Sequence, residues 1–311
     1  MVADVDWRLC LVGLLIGTLV GATGMGGGSL MTPILVLLFG FKPSVAIGTD
    51  ILHGAIFKSF GAWRHRQLGT VNGRLMLWML AGSAPMSLIG VSVATWMQHR
   101  YGDSIETTQK EILGVALLIC GLGFLIKALM KAHGDRGAFV LNRRGKITAI
   151  CIGLIGGFVV GLTSVGSGTF FGLAMLIAFP IATATVVGTD ILHAAALLWV
   201  AGAGHLIAGN VDLHATGSLL VGSIPGVLIG SHVMIRLPDR ALRIALATTL
   251  SLSGLKLLDV PGSSWIVLIG LGVMVAALIA YGARQLMLHR RDVARRLLDA
   301  SVPEPAPSPN P

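Results

Sequence analysis

Acidic side chains are almost excluded from the long apolar stretches of this chain: of 14 aspartates and glutamates, only Asp50 and Asp190 lie inside one. The rest sit at the termini or in polar connections. Because a charge in hydrocarbon is costly, this distribution is that of a polytopic membrane protein. A spanning helix needs roughly 20 mostly apolar residues, and the segments 45–63, 75–97, 112–130, 183–205, 215–236, 241–258 and 264–284 meet that need. The expected fold class is therefore an all-α polytopic membrane protein. Soluble domains carry about 25% charged residues; the 12% here, with 54% hydrophobic residues and a mean hydropathy of +0.82, excludes one.

Two regions differ from the simple spans. Residues 8–40 and 147–180 each run from an apolar stretch through a glycine and hydroxyl cluster into a shorter apolar stretch ending near a proline or glycine. About a dozen residues rise only about 18 Å as a helix, short of a core about 30 Å thick. A re-entrant hairpin or broken helix is the economical reading.

The chain also repeats itself at a constant offset of 140 residues. Gly48-Thr49-Asp50-Ile51-Leu52-His53 returns as Gly188-Thr189-Asp190-Ile191-Leu192-His193, and Gly21, Thr23, Gly26 and Gly28 return as Gly161, Thr163, Gly166 and Gly168. Gly82-Ser83, Pro85 and Leu88-Ile89-Gly90 return as Gly222-Ser223, Pro225 and Leu228-Ile229-Gly230. Repeats of this kind precede any other inference about fold.

Lysines and arginines set the expected orientation. Four connections hold 16 of the 23: Arg64, Arg66 and Arg74; Lys131, Arg136, Arg143, Arg144 and Lys146; Arg236, Arg240 and Arg243; and Arg284, Arg290, Arg291, Arg295 and Arg296. With these in the cytoplasm, every full-length helix crosses once and consistently. Basic 64–74 then aligns with 204–214, which has no Lys or Arg and falls outside, so the two halves are expected to be inverted. Each half is a broken hairpin plus three transmembrane helices. The expected organisation is a first membrane repeat over 1–131, a basic cytoplasmic linker over 132–146 and a second repeat over 147–258. An extra transmembrane helix follows over 259–287, then a tail over 288–311, basic and then Pro-rich and disordered. This places the N-terminus outside and the C-terminus in the cytoplasm, with the basic part of the tail suited to anionic headgroups.

The net charge of +9 would suggest nucleic acid in a soluble protein, but the basic residues cluster between spans, so no nucleic-acid partner is expected. Cys10, Cys120 and Cys151 lie singly in apolar runs without metal-ligand spacing, which supports neither disulfides nor a metal site. The acidic start MVADVDWR lacks a basic n-region, so 8–23 is read as retained. No GxxxxGK[ST] loop is present, and no cofactor is expected.

Inverted repeats with paired broken helices point to a transporter site at the repeat interface. The clusters Thr23-Gly24-Met25-Gly26-Gly27-Gly28-Ser29 and Thr163-Ser164-Val165-Gly166-Ser167-Gly168-Thr169 suit it. Glycines let the backbone approach a ligand, and a half-helix N-terminus leaves N–H groups for an anion. Hydroxyls of Ser29, Ser164, Ser167 and Thr169 add donors. Small residues also serve close helix packing; the symmetric recurrence favours the ligand site. Asp50 with His53, and Asp190 with His193, stand at i and i+3 on one helix face, placed to exchange a proton or a hydrogen bond. Proton coupling or gating is one reading. The other is that each aspartate ties down a neighbouring broken segment.

Lys58 has no lysine mate, since position 198 is leucine; a cation there could attract an anion on the cytoplasmic side, but six residues from Arg64 it is expected to snorkel toward the interface. His65, His205 and His232 read as structural. Trp7, Trp63, Trp96 and Trp265 read as interface anchors, and Pro85 and Pro225 as kinks in matched helices.

The paired features GATGMGGGSLMTPIL with GTD downstream, repeated as GLTSVGSGTFFG with GTD, resemble the sulfite exporter TauE/SafE family over about residues 8–258. The resemblance implies a bacterial inner-membrane exporter of sulfite, sulfonates or similar small sulfur anions, driven by proton gradients. It implies site residues at Gly26, Gly27, Gly28, Thr49 and Asp50, and at Gly166, Gly168, Thr189 and Asp190. Ser164 and Ser167 depart from a pure glycine run. The resulting expectation is a secondary active transporter, not an enzyme, with a small anionic solute, protons and lipid as partners and room for a homo-oligomer. The alternatives are an intramembrane enzyme using the Asp/His pairs, for which no HExxH or GxSxG is present, and a membrane scaffold, which leaves the buried acids unexplained.

Overall fold

A backbone shielded from water satisfies its N–H and C=O groups within helices. The computed structural model describes residues 5–23, 28–129, 141–168, 170–232 and 239–263, and among these are ten α-helices and no strand. They are α1 (Trp7–Thr23), α2 (Gly28–Phe39), α3 (Pro43–Gln67), α4 (Gly73–Tyr101), α5 (Glu106–Leu129), α6 (Arg143–Thr163), α7 (Phe170–Ala178), α8 (Thr183–Ile207), α9 (Leu213–His232) and α10 (Asp239–Leu257). Each full-length segment expected before residue 259 falls on one of these helices. The segment 264–284 and the tail lie outside the described residues.

Both glycine-interrupted regions are pairs of helices, α1 with α2 and α6 with α7. At 12 and 9 residues, α2 and α7 are too short to cross a bilayer alone. In contrast, α4, α5, α6 and α8 have the length and apolarity to span one. Local chemistry fixes the ends. Asn72 caps α4 by accepting from the Leu75 N–H at 3.1 Å, and Asn142 caps α6 by accepting from the Gly145 N–H at 2.7 Å. Pro33, Pro85 and Pro225 lie inside α2, α4 and α9.

Packing follows the sequence repeat. α1 packs along α9 and α4 along α6, and at the 140-residue offset α1 corresponds to α6 and α4 to α9. The same interface is thus formed twice, each time between halves. Small residues let the helices touch: a Cβ on Gly153 would stand 2.2 Å from the Met79 carbonyl oxygen, and one on its mate Gly13 would stand 2.3 Å from the Leu219 carbonyl oxygen. Helices α3 and α8 also pack together, and Trp199 Nε1 donates to Ser59 Oγ at 3.0 Å, joining a position to its own mate.

Two large apolar cores result, with a small third of Ala62, Ile191 and Ala195 between α3 and α8. One draws on α1, α2, α5, α9 and α10, the other on α3, α4, α6, α7 and α8. Large apolar side chains also point outward, among them Leu15, Leu38, Trp63, Ile119, Ile177 and Ile207. Helices apolar on their outer as well as inner faces are those of a membrane span.

Candidate functional site

The repeated GTDILH motif lies on α3 and α8, and its residues bind across the halves. Thr49 Oγ1 accepts from the Asp212 N–H at 3.0 Å, and Thr189 Oγ1 accepts from the Asn72 N–H at 2.9 Å. His53 Nε2 pairs with Ser223 Oγ, and His193 Nε2 with Ser83 Oγ, both at 2.9 Å. In each case one bond is the other shifted by 140 residues on both partners. Ser83 and Ser223 belong to the sequence repeat but gain meaning only here, since no spacing rule connects them to histidines on other helices.

Asp50 is buried and holds together three elements. Thr32 Oγ1 of α2 and Ser164 Oγ, just past α6, both donate to its Oδ2, the latter at 2.8 Å. The hydrogen bonds of Asp50 thus run to hydroxyls on the broken segments, while His53 turns to Ser223. Ser164 closes α6 in the left-handed region at φ 62°, with its N–H on the Val160 carbonyl at 2.7 Å. Gly166 and Gly168 continue the turn at φ 109° and 115°, values that only glycine adopts without strain.

Lys58 corrects an expectation. It is 3% exposed and does not snorkel: its Nζ donates to the Ser167 carbonyl at 3.0 Å and to Ser167 Oγ at 2.8 Å. The turn after α6 supplies the oxygen ligands that headgroups would otherwise provide. Ser164, Ser167 and Asp50 are brought together with this ammonium.

Asp190 is equally buried but differently surrounded. Its Oδ1 has no hydrogen-bond partner, and its Oδ2 lines the space beside Gly172. A Cβ on Gly172 would stand 2.8 Å from Lys127 Nζ and 3.1 Å from Asp190 Oδ2. Lys127 of α5 is 1% exposed, and both it and Lys58 lie within Coulombic reach of Asp190. Sequence reasoning passed over Lys127. Its position near the end of an apolar segment, close to Lys131, mimics an interfacial lysine, and only the intramembrane charge itself hinted otherwise.

The remaining site candidates are placed less fully. Thr163 ends α6, its Oγ1 donating to the Val159 carbonyl at 2.7 Å. Thr23 ends α1 and Gly28 and Ser29 open α2, with the side chains of Thr23 and Ser29 outside the described set. Gly26, Gly27 and Thr169 lie outside the described residues. Among the structural histidines, His205 Nε2 donates to the Gly161 carbonyl at 3.0 Å and His65 Nδ1 pairs with Thr70 Oγ1 at 3.0 Å. No group of three or more His, Cys, Asp or Glu among the described residues is arranged to hold a metal ion.

A recess of about 410 Å³ opens above α3, lined by Ser44, Gln98, Glu106, Gln109 and Asn210 among others. Ser44 is six residues before Asp50, or about 9 Å along the helix.

A multi-pass helical membrane protein with buried charges gathered at a helix break has the features of a solute carrier. The profile of the family described as Sulfite exporter TauE/SafE matches residues 9–257. The chain is 37% identical over 256 residues to the "Probable membrane transporter protein YjnA" of Bacillus subtilis (strain 168), covering 80% of this chain and 98% of that one. It is 26% identical over 251 residues to YdhB of the same organism, described in the same words, covering 80% and 99%. It is 24% identical over 267 residues to a "Probable membrane transporter protein" of Methanocaldococcus jannaschii, MJ0441, covering 80% and 94%. No solved structure matches the chain significantly. The chain belongs to the sulfite exporter TauE/SafE family and is a multi-pass membrane transporter.

Proposed function

We propose that the protein is a secondary active transporter that exports a small anion, a sulfur oxyanion or organosulfonate, by proton-coupled alternating access. The observation that carries this is the pair of buried ammonium groups, Lys58 and Lys127, at the turn and half-helix following α6. An oxyanion spreads its charge over several acceptors and suits ammonium, hydroxyl and backbone N–H donors together. The substrate site then comprises the two glycine and hydroxyl clusters, Thr23 to Ser29 and Thr163 to Thr169, together with Thr49 and Thr189. Of the two buried aspartates, Asp190 supplies proton coupling and Asp50, through its bonds to Thr32 and Ser164, gating. The recess lined by Ser44 and Asn210 is the outer approach.

The reciprocal bonds support an inverted-repeat mechanism. Each half holds the other through Thr49, Thr189, His53 and His193, so the two halves have related but separable contacts that rocking exchanges. The Ser83–His193 pair does not favour an enzyme: His193 Nδ1 has no carboxylate to orient it. We place the protein in the inner membrane, with the N-terminus outside.

The test is flux of radiolabelled sulfite, thiosulfate and methanesulfonate in proteoliposomes, with and without an imposed pH gradient. The expected outcome is gradient-driven flux of at least one of these anions that is lost in Lys58→Gln. Absence of flux for all three in a monodisperse preparation would overturn the assigned substrate class.

A further inference from the structure

The two halves of the site are unlike in charge. Among the described residues, the buried carboxylates are Asp50 and Asp190 and the buried ammonium groups are Lys58 and Lys127, so the formal charge inside is balanced before a substrate enters. A monoanion added to this interior leaves an uncompensated charge in a poorly solvated place. Entry of one positive charge together with the anion removes that penalty.

The two aspartates are not equally suited to receive it. Asp50 accepts two hydroxyl hydrogen bonds, from Thr32 and Ser164, which satisfy its carboxylate. At the 140-residue offset Thr32 corresponds to Gly172 and Ser164 to Gly24, so neither hydroxyl is repeated at Asp190. In place of the missing threonine side chain stands Lys127 Nζ, and Asp190 Oδ1 is left without a partner. The charged groups that bear on Asp190 are Lys127 from α5 and Lys58 from α3; α3 also carries Asp50 and His53, and α8 carries His193 and His205. Helix α7 carries no titratable residue; on α4 and α6 Arg74, His99, Arg100, Tyr101, Arg143, Arg144 and Cys151 are exposed, and Lys146 lies over the Trp78 ring near the start of α6.

We propose that Asp190 is the proton carrier, and that a monoanion binds between Lys127 and Lys58 when Asp190 Oδ1 has taken a proton. The two ammonium charges, no longer offset by the Asp190 carboxylate, then face the anion. One proton and one anion move together, enter from one aqueous phase and leave to the other, and the buried charge stays at zero throughout. Asp50 remains a carboxylate that latches α2 to the turn after α6. The pair travels in the direction of its summed gradients: an outside-acidic pH gradient opposes its exit, so an anion leaves with a proton where its own outward gradient exceeds the proton gradient. This deepens the proposed function and rests on it.

The test uses the full chain in proteoliposomes with methanesulfonate, which stays a monoanion, and records proton movement by an internal pH dye beside labelled flux. Wild type should move one proton per anion at a rate unaffected by membrane potential. Asp190→Asn should still pass the anion down its gradient but without protons and with potential dependence. Asp50→Asn should keep the one-to-one ratio. Lys127→Gln should raise the half-saturating concentration about tenfold or more, as loss of a charge-assisted hydrogen bond predicts, and Gly172→Thr should do the same by displacing Lys127. Proton movement that persists in Asp190→Asn, a ratio lost only in Asp50→Asn, or an unaltered half-saturation in both Lys127→Gln and Gly172→Thr would overturn the inference while leaving transport intact. Absence of methanesulfonate flux in wild type would overturn the inference, and flux of sulfite or thiosulfate in the same vesicles would show that the transport function survives it.

Discussion

Thr32 and Ser164 carry a stabilising role that belongs to single atoms. Their hydroxyls meet on one carboxylate oxygen of Asp50 and so join α2 of the first half to the end of α6 in the second. Removing one donor to a buried charged acceptor costs about 1–3 kcal/mol. Thr32→Val keeps the shape and removes the hydroxyl, so it should lower stability by that amount, read as a reduced unfolding temperature in detergent. The repeat mate of Thr32 is Gly172, and no equivalent loss is available there. Position 172 was silent in the sequence because a glycine in an apolar run reads as packing. Its meaning lies in what it leaves room for, the ammonium of Lys127.

At the scale of helices, the interfaces of α1 with α9 and of α4 with α6 depend on direct backbone contact. A methyl on Gly153 would meet the Met79 carbonyl, and one on Gly13 the Leu219 carbonyl, so either helix has to move away to admit it. Overpacking of this kind costs about 1–3 kcal/mol. Gly153→Ala and Gly13→Ala should therefore destabilise by similar amounts in a thermal melt. Gly217→Ala, where nothing stands within 4 Å, should not. The helices themselves were readable from apolar length, and the α1–α2 and α6–α7 breaks from their glycine clusters. Which helices would share an interface was not readable, because the small-residue pattern that permits close approach does not name its partner.

For the whole molecule, the proposed inverted arrangement makes a prediction that no local feature makes: equivalent positions in the two repeats should face opposite sides of the membrane. Gln67 and Ile207 are mates at the 140-residue offset, and both are exposed just at helix ends. In a background with Cys10, Cys120 and Cys151 replaced, Ile207→Cys should react with a membrane-impermeant maleimide on intact cells, and Gln67→Cys only after permeabilisation. Labelling of both from the same side would exclude inversion. The sequence by itself determined the membrane class, the repeat, the two helix breaks and the buried aspartates, because apolar length, duplication and intramembrane charge are properties of the chain read in order. It could not determine that Thr49 and Thr189 would bind the opposite half or that His53 and His193 would pair with serines instead of with Asp50 and Asp190. Nor could it show that Lys58 and Lys127 would turn inward. Those outcomes depend on which oxygens come within reach once the helices pack. Ser167 lies 109 residues from Lys58, and Gly172 stands between Lys127 and Asp190 only in the closed fold.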